Sequence, residues 1–139
     1  MRAPRCRLLS MKSIRDSRGE LIVAEEGTHV PFKIARVFFV ETQRKGTVRG
    51  DHAHKSLYEL VLCTYGSLDI EVMNGISQKT YRLDNPAIGL LIPPMVWVRV
   101  KTTTTRTRYL VLASHKYQEA DYFRDFEQFL TLTKARNEG

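Results

Sequence analysis

At 139 residues the chain has room for one domain, large enough to bury about two-thirds of the surface its unfolded form exposes. Its two cysteines, Cys6 and Cys63, are too few and too far apart for a disulfide framework, a zinc knuckle or a redox pair. A net charge of +7 suits nucleic acid, an anionic membrane or a small anion, but Arg15, Arg18, Arg36, Arg49, Arg82, Arg99, Arg106 and Arg108 are scattered rather than gathered with aromatics on one face, which favours the small anion and argues against nucleic acid.

The amino-terminal stretch Met1 to Leu9 carries Arg2, Arg5 and Arg7 but no apolar run long enough for a signal peptide, and no segment reaches membrane-spanning length. A soluble cytoplasmic protein with no membrane partner is expected. Short apolar runs then recur between turn residues, the pattern of a β-sandwich or barrel. Predicted strands are Arg7 to Ile14, Glu20 to Glu25, Ala35 to Glu41, Tyr58 to Tyr65, Ser67 to Met73, Lys79 to Leu83, Gly89 to Ile92, Val96 to Lys101 and Thr107 to His115. Ser17-Arg18-Gly19, Tyr65-Gly66-Ser67, Asn74-Gly75 and Asn85-Pro86 separate them, and Asn74-Gly75 is the strongest hairpin signal. Pro93-Pro94 ends one strand and sets Trp97 just beyond a rigid bend, where it serves either as a core or dimer anchor or as a stacking platform for a sugar or base. Tyr122, Phe126, Phe129 and Leu130 recur at helical steps after Asp121, which predicts one short carboxy-terminal helix capped by Asp121. The polar residues beyond Leu132 predict a frayed tail. No repeat or linker divides the chain, so residues 1–139 are expected to form a single domain.

The densest chemistry lies between Gly46 and Gly66: glycine, five residues, His52-Ala53-His54, four residues, Glu59, six residues, glycine. On an extended strand, residues two apart share a face, so His52 and His54 offer two imidazoles to one cavity. This spacing resembles the first motif of the cupin superfamily, which implies an all-β jelly-roll barrel. His52, His54 and Glu59 offer three ligands of the kind found in non-haem metal sites. The late motif that completes such sites with a histidine reads here Ile92-Pro93-Pro94-Met95-Val96-Trp97-Val98-Arg99, without an imidazole, and His29 and His115 lie outside it. No metal or other cofactor is therefore expected.

Without a metal, paired imidazoles suit proton transfer near neutral pH, such as abstraction next to a carbonyl while an arginine steadies the developing enolate. Tyr58, Tyr65, Tyr81 or water are candidates to join that relay.

At fuller length the chain resembles the cupin-type nucleotide-sugar 3,4-ketoisomerases. The likeness is carried by Asp16-Ser17-Arg18-Gly19, Pro31-Phe32, Arg36-Val37, Arg49-Gly50, His52-Ala53-His54-Lys55, Gly66-Ser67, Gly89-Leu90, Val96-Trp97, Leu112-Ala113-Ser114, Asp121-Tyr122 and Arg124. The resemblance implies a metal-free homodimer, often with exchanged amino-terminal strands, that moves the ketone of dTDP-4-keto-6-deoxyglucose from C4 to C3 through an enediol. Its product would feed an aminotransferase and an acyltransferase, toward a 3-amino-3,6-dideoxyhexose for surface polysaccharide or a natural product. It also implies His54 as the base at C3 with His52 as its partner, and Arg18, Arg36 and Arg49 near the diphosphate or sugar. Trp97, Val98, Arg99 and Glu59 complete the expected substrate site.

Three features depart from the family pattern: Phe38-Phe39 where tyrosine follows the Arg-Val pair, Glu59 where glutamine is common, and Val98 followed by Arg99 where relatives place histidine or arginine directly after the tryptophan. In the family the side chains at positions 18 and 98 bear on the C4 configuration of the product; Arg18 resembles the galacto type and Val98 neither. An inward Glu59 would raise the histidine pKa values. An epimerase of the same substrate class, a binding cupin without catalysis and a metal-dependent oxygenase are the alternatives.

Overall fold

The computed structural model describes residues 5–138, with side chains through residue 136, so Arg2 lies outside the described residues. Twelve strands and one helix follow in order: β1 (Arg7–Ser10), β2 (Lys12–Asp16), β3 (Gly19–Val23), β4 (Arg36–Thr42), β5 (Val48–His54), β6 (Glu59–Tyr65), β7 (Leu68–Met73), β8 (Gln78–Leu83), β9 (Ile88–Ile92), β10 (Trp97–Thr102), β11 (Thr107–Ala113), β12 (Tyr122–Phe123) and α1 (Phe126–Glu138). Two antiparallel five-stranded sheets, ordered β1-β9-β6-β11-β4 and β12-β5-β10-β7-β8, face each other, and β2-β3 forms a separate hairpin. This is the expected all-β jelly roll with a short carboxy-terminal helix.

Alternation decides which side chains meet between the sheets. On β7, Leu68, Ile70 and Val72 point inward and are buried, while Asp69, Glu71 and Met73 point out and are only half-buried. They join Val61, Cys63, Leu90, Val98, Val100 and Val111 in the main core. Each such side chain, fully buried, contributes on the order of 1.5–3 kcal/mol. Strand β6 is buried on both faces because Leu60 and Leu62 pack outward against Met11, Val30 and Leu112, under the loop that ends at Ile34.

The single strand expected from Arg7 to Ile14 is two strands. Met11, 6% exposed, donates its backbone N–H to Ala87 O at 2.7 Å, and the chain leaves the sheet there to form the hairpin. The Asn74-Gly75 expectation holds: Asn74 Oδ1 accepts the N–H groups of Ile76 and Ser77, and Gly75 has φ +92°. A Cβ on Gly75 would lie 2.3 Å from Thr133 Oγ1, so this turn is where α1 rests on the sheet.

The helix differs from expectation at both ends. Asp125, not Asp121, caps it, its Oδ1 accepting the Gln128 N–H at 3.1 Å. Beyond Leu132 the chain stays helical to Glu138, because Phe129, fully buried with Trp97, Phe123 and Ala53, anchors α1 over the outer face of the second sheet, and buried Thr133 extends that contact. Among the described residues no helix is long and apolar enough to cross a membrane.

Candidate active site

Strand β5 was not among the predicted strands, yet it carries the site. Gly50 has φ +94° and Asp51 φ +57°, and the register against β10 shifts there, with Val98 opposite His52 but Arg99 opposite Gly50. This β-bulge accommodates one extra residue and re-aims the strand. A Cβ on Gly50 would lie 2.9 Å from Val98 O, so the close approach of the two backbones needs glycine. Beyond the bulge, His52 and His54 point between the sheets and Ala53 points out beneath α1.

The histidines line a cavity of about 520 Å³ with Phe38, Arg49, Glu59, Val98, Tyr109, Tyr122 and Arg124 among its walls, a size usual for small-molecule sites. The His52 and His54 rings meet edge to face at 4.9 Å. Tyr122 packs against both, at 5.1 and 4.3 Å between centroids, because β12 pairs with β5 and puts Tyr122 opposite His54. His54 is 5% exposed. Its Nε2 lies 2.8 Å from Glu59 Oε1 and its Nδ1 3.6 Å from Asp121 Oδ2.

Burial pushes the His52 imidazole below its ordinary value, and nearby His54 and Arg124 add to that; Glu59 pulls the other way and loses. Glu59 does act upward on this histidine as expected, but the net shift is downward, since desolvation outweighs one carboxylate. Tyr109 is pushed upward by burial, against the Arg49 charge beside it, and so keeps its proton at neutral pH.

At the rim, the Arg124 guanidinium donates to Glu119 at 2.9 Å and lies 4.3 Å from the Tyr122 ring centre. Glu119 also accepts from Tyr117, and these partners hold its carboxyl down at about 2. Arg36 stands over Phe38 and Tyr117 at 5.3 and 5.6 Å.

Of the residues expected at the substrate site, Arg49, Glu59 and Val98 line the cavity with the two histidines, and Arg36 is not among the lining residues but stands over Phe38, which is. Trp97 and Arg99 do not. They flank Val98 on β10, and strand alternation turns them to the other face, where they border a separate cavity of about 370 Å³ with Asp51 and Phe126. Trp97 packs on Phe126 and Phe129, so it is a core anchor rather than a stacking platform at the histidines. Arg18 also lies elsewhere: it sits at the tip of the β2-β3 hairpin, ion-paired with Asp16 at 2.6 Å.

The tyrosines expected as relay candidates are likewise outside. Tyr58 stacks with Phe32, Tyr65 is 58% exposed and Tyr81 donates to Cys6 O. Tyr109, Tyr122 and Arg124 line the cavity instead, and Asp121 faces His54. Asp121 and Tyr122 were read as the start of a helix, and only the pairing of β12 with β5 brings them to the histidines.

His52, His54 and Glu59 place their ligand atoms within 4.8 Å of one another, a spacing that could hold a divalent cation. Against that, Glu59 is already engaged with His54, and the guanidinium groups of Arg49 and Arg124 share the cavity.

Two converging imidazoles, arginines at the walls and a jelly-roll scaffold define a site of the sugar-isomerase type. Residues 4–134 match the family described as WxcM-like, C-terminal (FdtA), and the chain belongs to that family. It is 36% identical, over 123 residues covering 88% of each chain, to the TDP-4-oxo-6-deoxy-alpha-D-glucose-3,4-oxoisomerase of Aneurinibacillus thermoaerophilus. The crystal structure of QdtA, a sugar 3,4-ketoisomerase from Thermoanaerobacterium thermosaccharolyticum in complex with TDP, superposes with a TM-score of 0.90 at 34% identity, covering 94% of this chain and 96% of that one. WlaRB, a TDP-quinovose 3,4-ketoisomerase from Campylobacter jejuni, gives 0.85 at 37% identity, covering 91% and 97%.

Proposed function

We propose that the protein is a sugar 3,4-ketoisomerase that moves the ketone of TDP-4-keto-6-deoxyglucose from C4 to C3. The observation that carries this reading is the pair of imidazoles, His52 and His54, set 4.9 Å apart inside a cavity shared with Arg49 and Arg124. The similarity to oxoisomerases of TDP-sugars supports the substrate class.

His52 is assigned the base role, in place of His54 as the sequence implied. Both His54 nitrogens face carboxylates, whereas His52 is half-buried beside the cavity and its depressed pKa keeps it neutral and able to accept a proton. His52 takes the C3 hydrogen as a proton; the electron pair left behind forms the C3–C4 double bond while the C4 carbonyl oxygen takes up a proton, giving an enediol. The pair His54–Glu59 returns a proton to C4, the O3 hydroxyl releases its own, and the carbonyl reappears at C3. One hydrogen has moved from C3 to C4 and one from O3 to O4, with nothing else consumed. Glu59, which acts on both rings, lets the proton on His52 reset His54. Arg49 and Arg124 stabilise charge on the enediolate oxygens, and Arg36 at the rim suits the diphosphate.

The protein acts as a homodimer in this reading. Ile14 and Leu21 on the detached hairpin and Val37 and Phe39 on the edge strand β4 are exposed, Phe39 at 73%, which leaves apolar surface for a second copy and a route by which exchanged strands would bring Arg18 near a partner's cavity. One domain in the cytoplasm fits Cys6 and Cys63, both free thiols. The product suits an aminotransferase toward a deoxyaminosugar of a surface polysaccharide.

Incubation with TDP-4-keto-6-deoxyglucose, followed by proton and carbon NMR, tests the assignment. A 3-keto sugar with a new C4 hydrogen is expected. A ketone that stays at C4 with an inverted neighbour would make the protein an epimerase, and unchanged substrate that nevertheless binds would make it a binding protein.

A further inference from the structure

The proton path leaves one buried pair unused. His54 Nδ1 and Asp121 Oδ2 are both buried without a hydrogen-bond partner, and they face each other at 3.6 Å. Asp121 is held rigidly for this: its Oδ1 accepts the Ser56 N–H at 3.0 Å and the Ser56 hydroxyl at 2.6 Å, and its backbone carbonyl accepts the Lys55 N–H at 2.8 Å. These bonds tie the single 3-10 turn Glu119–Asp121 to the end of β5, two residues beyond His54.

We propose that Asp121 is the positioning residue of the reaction: it fixes the His54 tautomer by holding the Nδ1 hydrogen, so that Nε2 alone exchanges a proton with Glu59 and the substrate. A carboxylate has only acceptor sites, so each His54 nitrogen meets its carboxylate through a hydrogen: Asp121 keeps the one on Nδ1, and the proton shared between Nε2 and Glu59 is the one free to move. Closing the 3.6 Å gap by a few tenths of an ångström makes that hydrogen bond and satisfies both orphaned atoms. With Nδ1 fixed, the Nε2 side, 2.8 Å from Glu59, becomes the working end of the ring. Asp121 touches no substrate in this arrangement. It acts through His54, the way a carboxylate orients the histidine of a hydrolase triad.

The inference rests on the division of labour above, with His52 acting at C3 and His54 at C4, and the two are separable by experiment. Asp121→Asn keeps an oxygen for the Ser56 donors but presents an amide N–H to Nδ1, forcing the other tautomer. With TDP-4-keto-6-deoxyglucose in deuterated water, the variant is expected to form 3-keto product about 100-fold more slowly or worse, with KM within about threefold, while still washing solvent deuterium into C3 of recovered substrate. That split is a readout no general loosening of the site produces. In parallel, nitrogen-15 NMR of the wild-type protein without substrate should show His54 protonated at Nδ1, and the variant should lose that signal. Full product formation by Asp121→Asn, equal loss of exchange and product, or an unprotonated His54 Nδ1 in the wild type would each overturn the inference. A wild type that neither exchanges C3 nor makes product removes the ketoisomerase reading instead, and the NMR result then decides the Asp121 contact by itself.

Discussion

Tyr122 and His54 are register partners across the β12-β5 ladder, and their rings meet at 4.3 Å, tilted by 61°. A two-residue strand thereby sets the orientation of both imidazoles, since the same tyrosine ring lies 5.1 Å from His52. Tyr122→Ala removes this wall, and displacement of a reacting group by about 1 Å can cost on the order of 100-fold. Steady-state kinetics should show kcat falling by at least about tenfold. Tyr122→Phe keeps the ring and is expected to retain most of the turnover. Equal losses in the two variants would move the role from the ring to the hydroxyl.

The depressed pKa of His52 sets the acid side of the pH profile. Protonation of the base stops catalysis, so kcat/KM should fall as pH drops through a midpoint below the ordinary imidazole value of about 6.5. Because Glu59 raises this histidine, Glu59→Gln should carry the midpoint lower still. Movement of the limb to higher pH in that variant would contradict the electrostatics described here.

Gly50 combines φ +94° with a backbone contact that a methyl group would violate at 2.9 Å. Gly50→Ala is expected to destabilise the fold by about 1–3 kcal/mol through strain at a special backbone angle, read by chemical denaturation. It should also lower kcat, because the bulge aims His52. Unchanged stability with unchanged kcat would show that the bulge tolerates a side chain.

Guanidinium groups beside the histidines oppose a bound cation, and Glu59 is spent on His54. Prolonged treatment with a strong chelator should therefore leave the rate of isomerisation unchanged. Loss of activity restored by a divalent ion would turn His52, His54 and Glu59 into ligands.

The histidine pair and Glu59 were legible because their spacing survives any uncertainty in strand ends. The bounds of the strand beneath them were not: Arg49, Gly50 and Asp51 carry no apolar run and fell outside the predicted strands, and only pairing with β10 extends them. Trp97 and Arg99 were misplaced although the parity was available, since an inward Val98 requires outward neighbours on either side. Asp121 mimicked a helix cap because apolar residues follow it at helical steps; the real cap is four residues on, and Asp121 earned its place by tertiary contact with Ser56 and His54. Arg18 and Arg49 look alike in sequence, yet one tips an exposed hairpin and the other lines the cavity, a difference set by topology alone.

The central claim is that His52 carries the proton taken from C3, and the most direct measurement is His52→Asn with TDP-4-keto-6-deoxyglucose in deuterated water, followed by NMR at C3 and C4. The wild type should take up solvent deuterium and yield the 3-keto sugar, while the variant binds TDP as before but loses both exchange and product by about 100-fold or more. Retention of C3 exchange at near wild-type rate in His52→Asn would contradict the account.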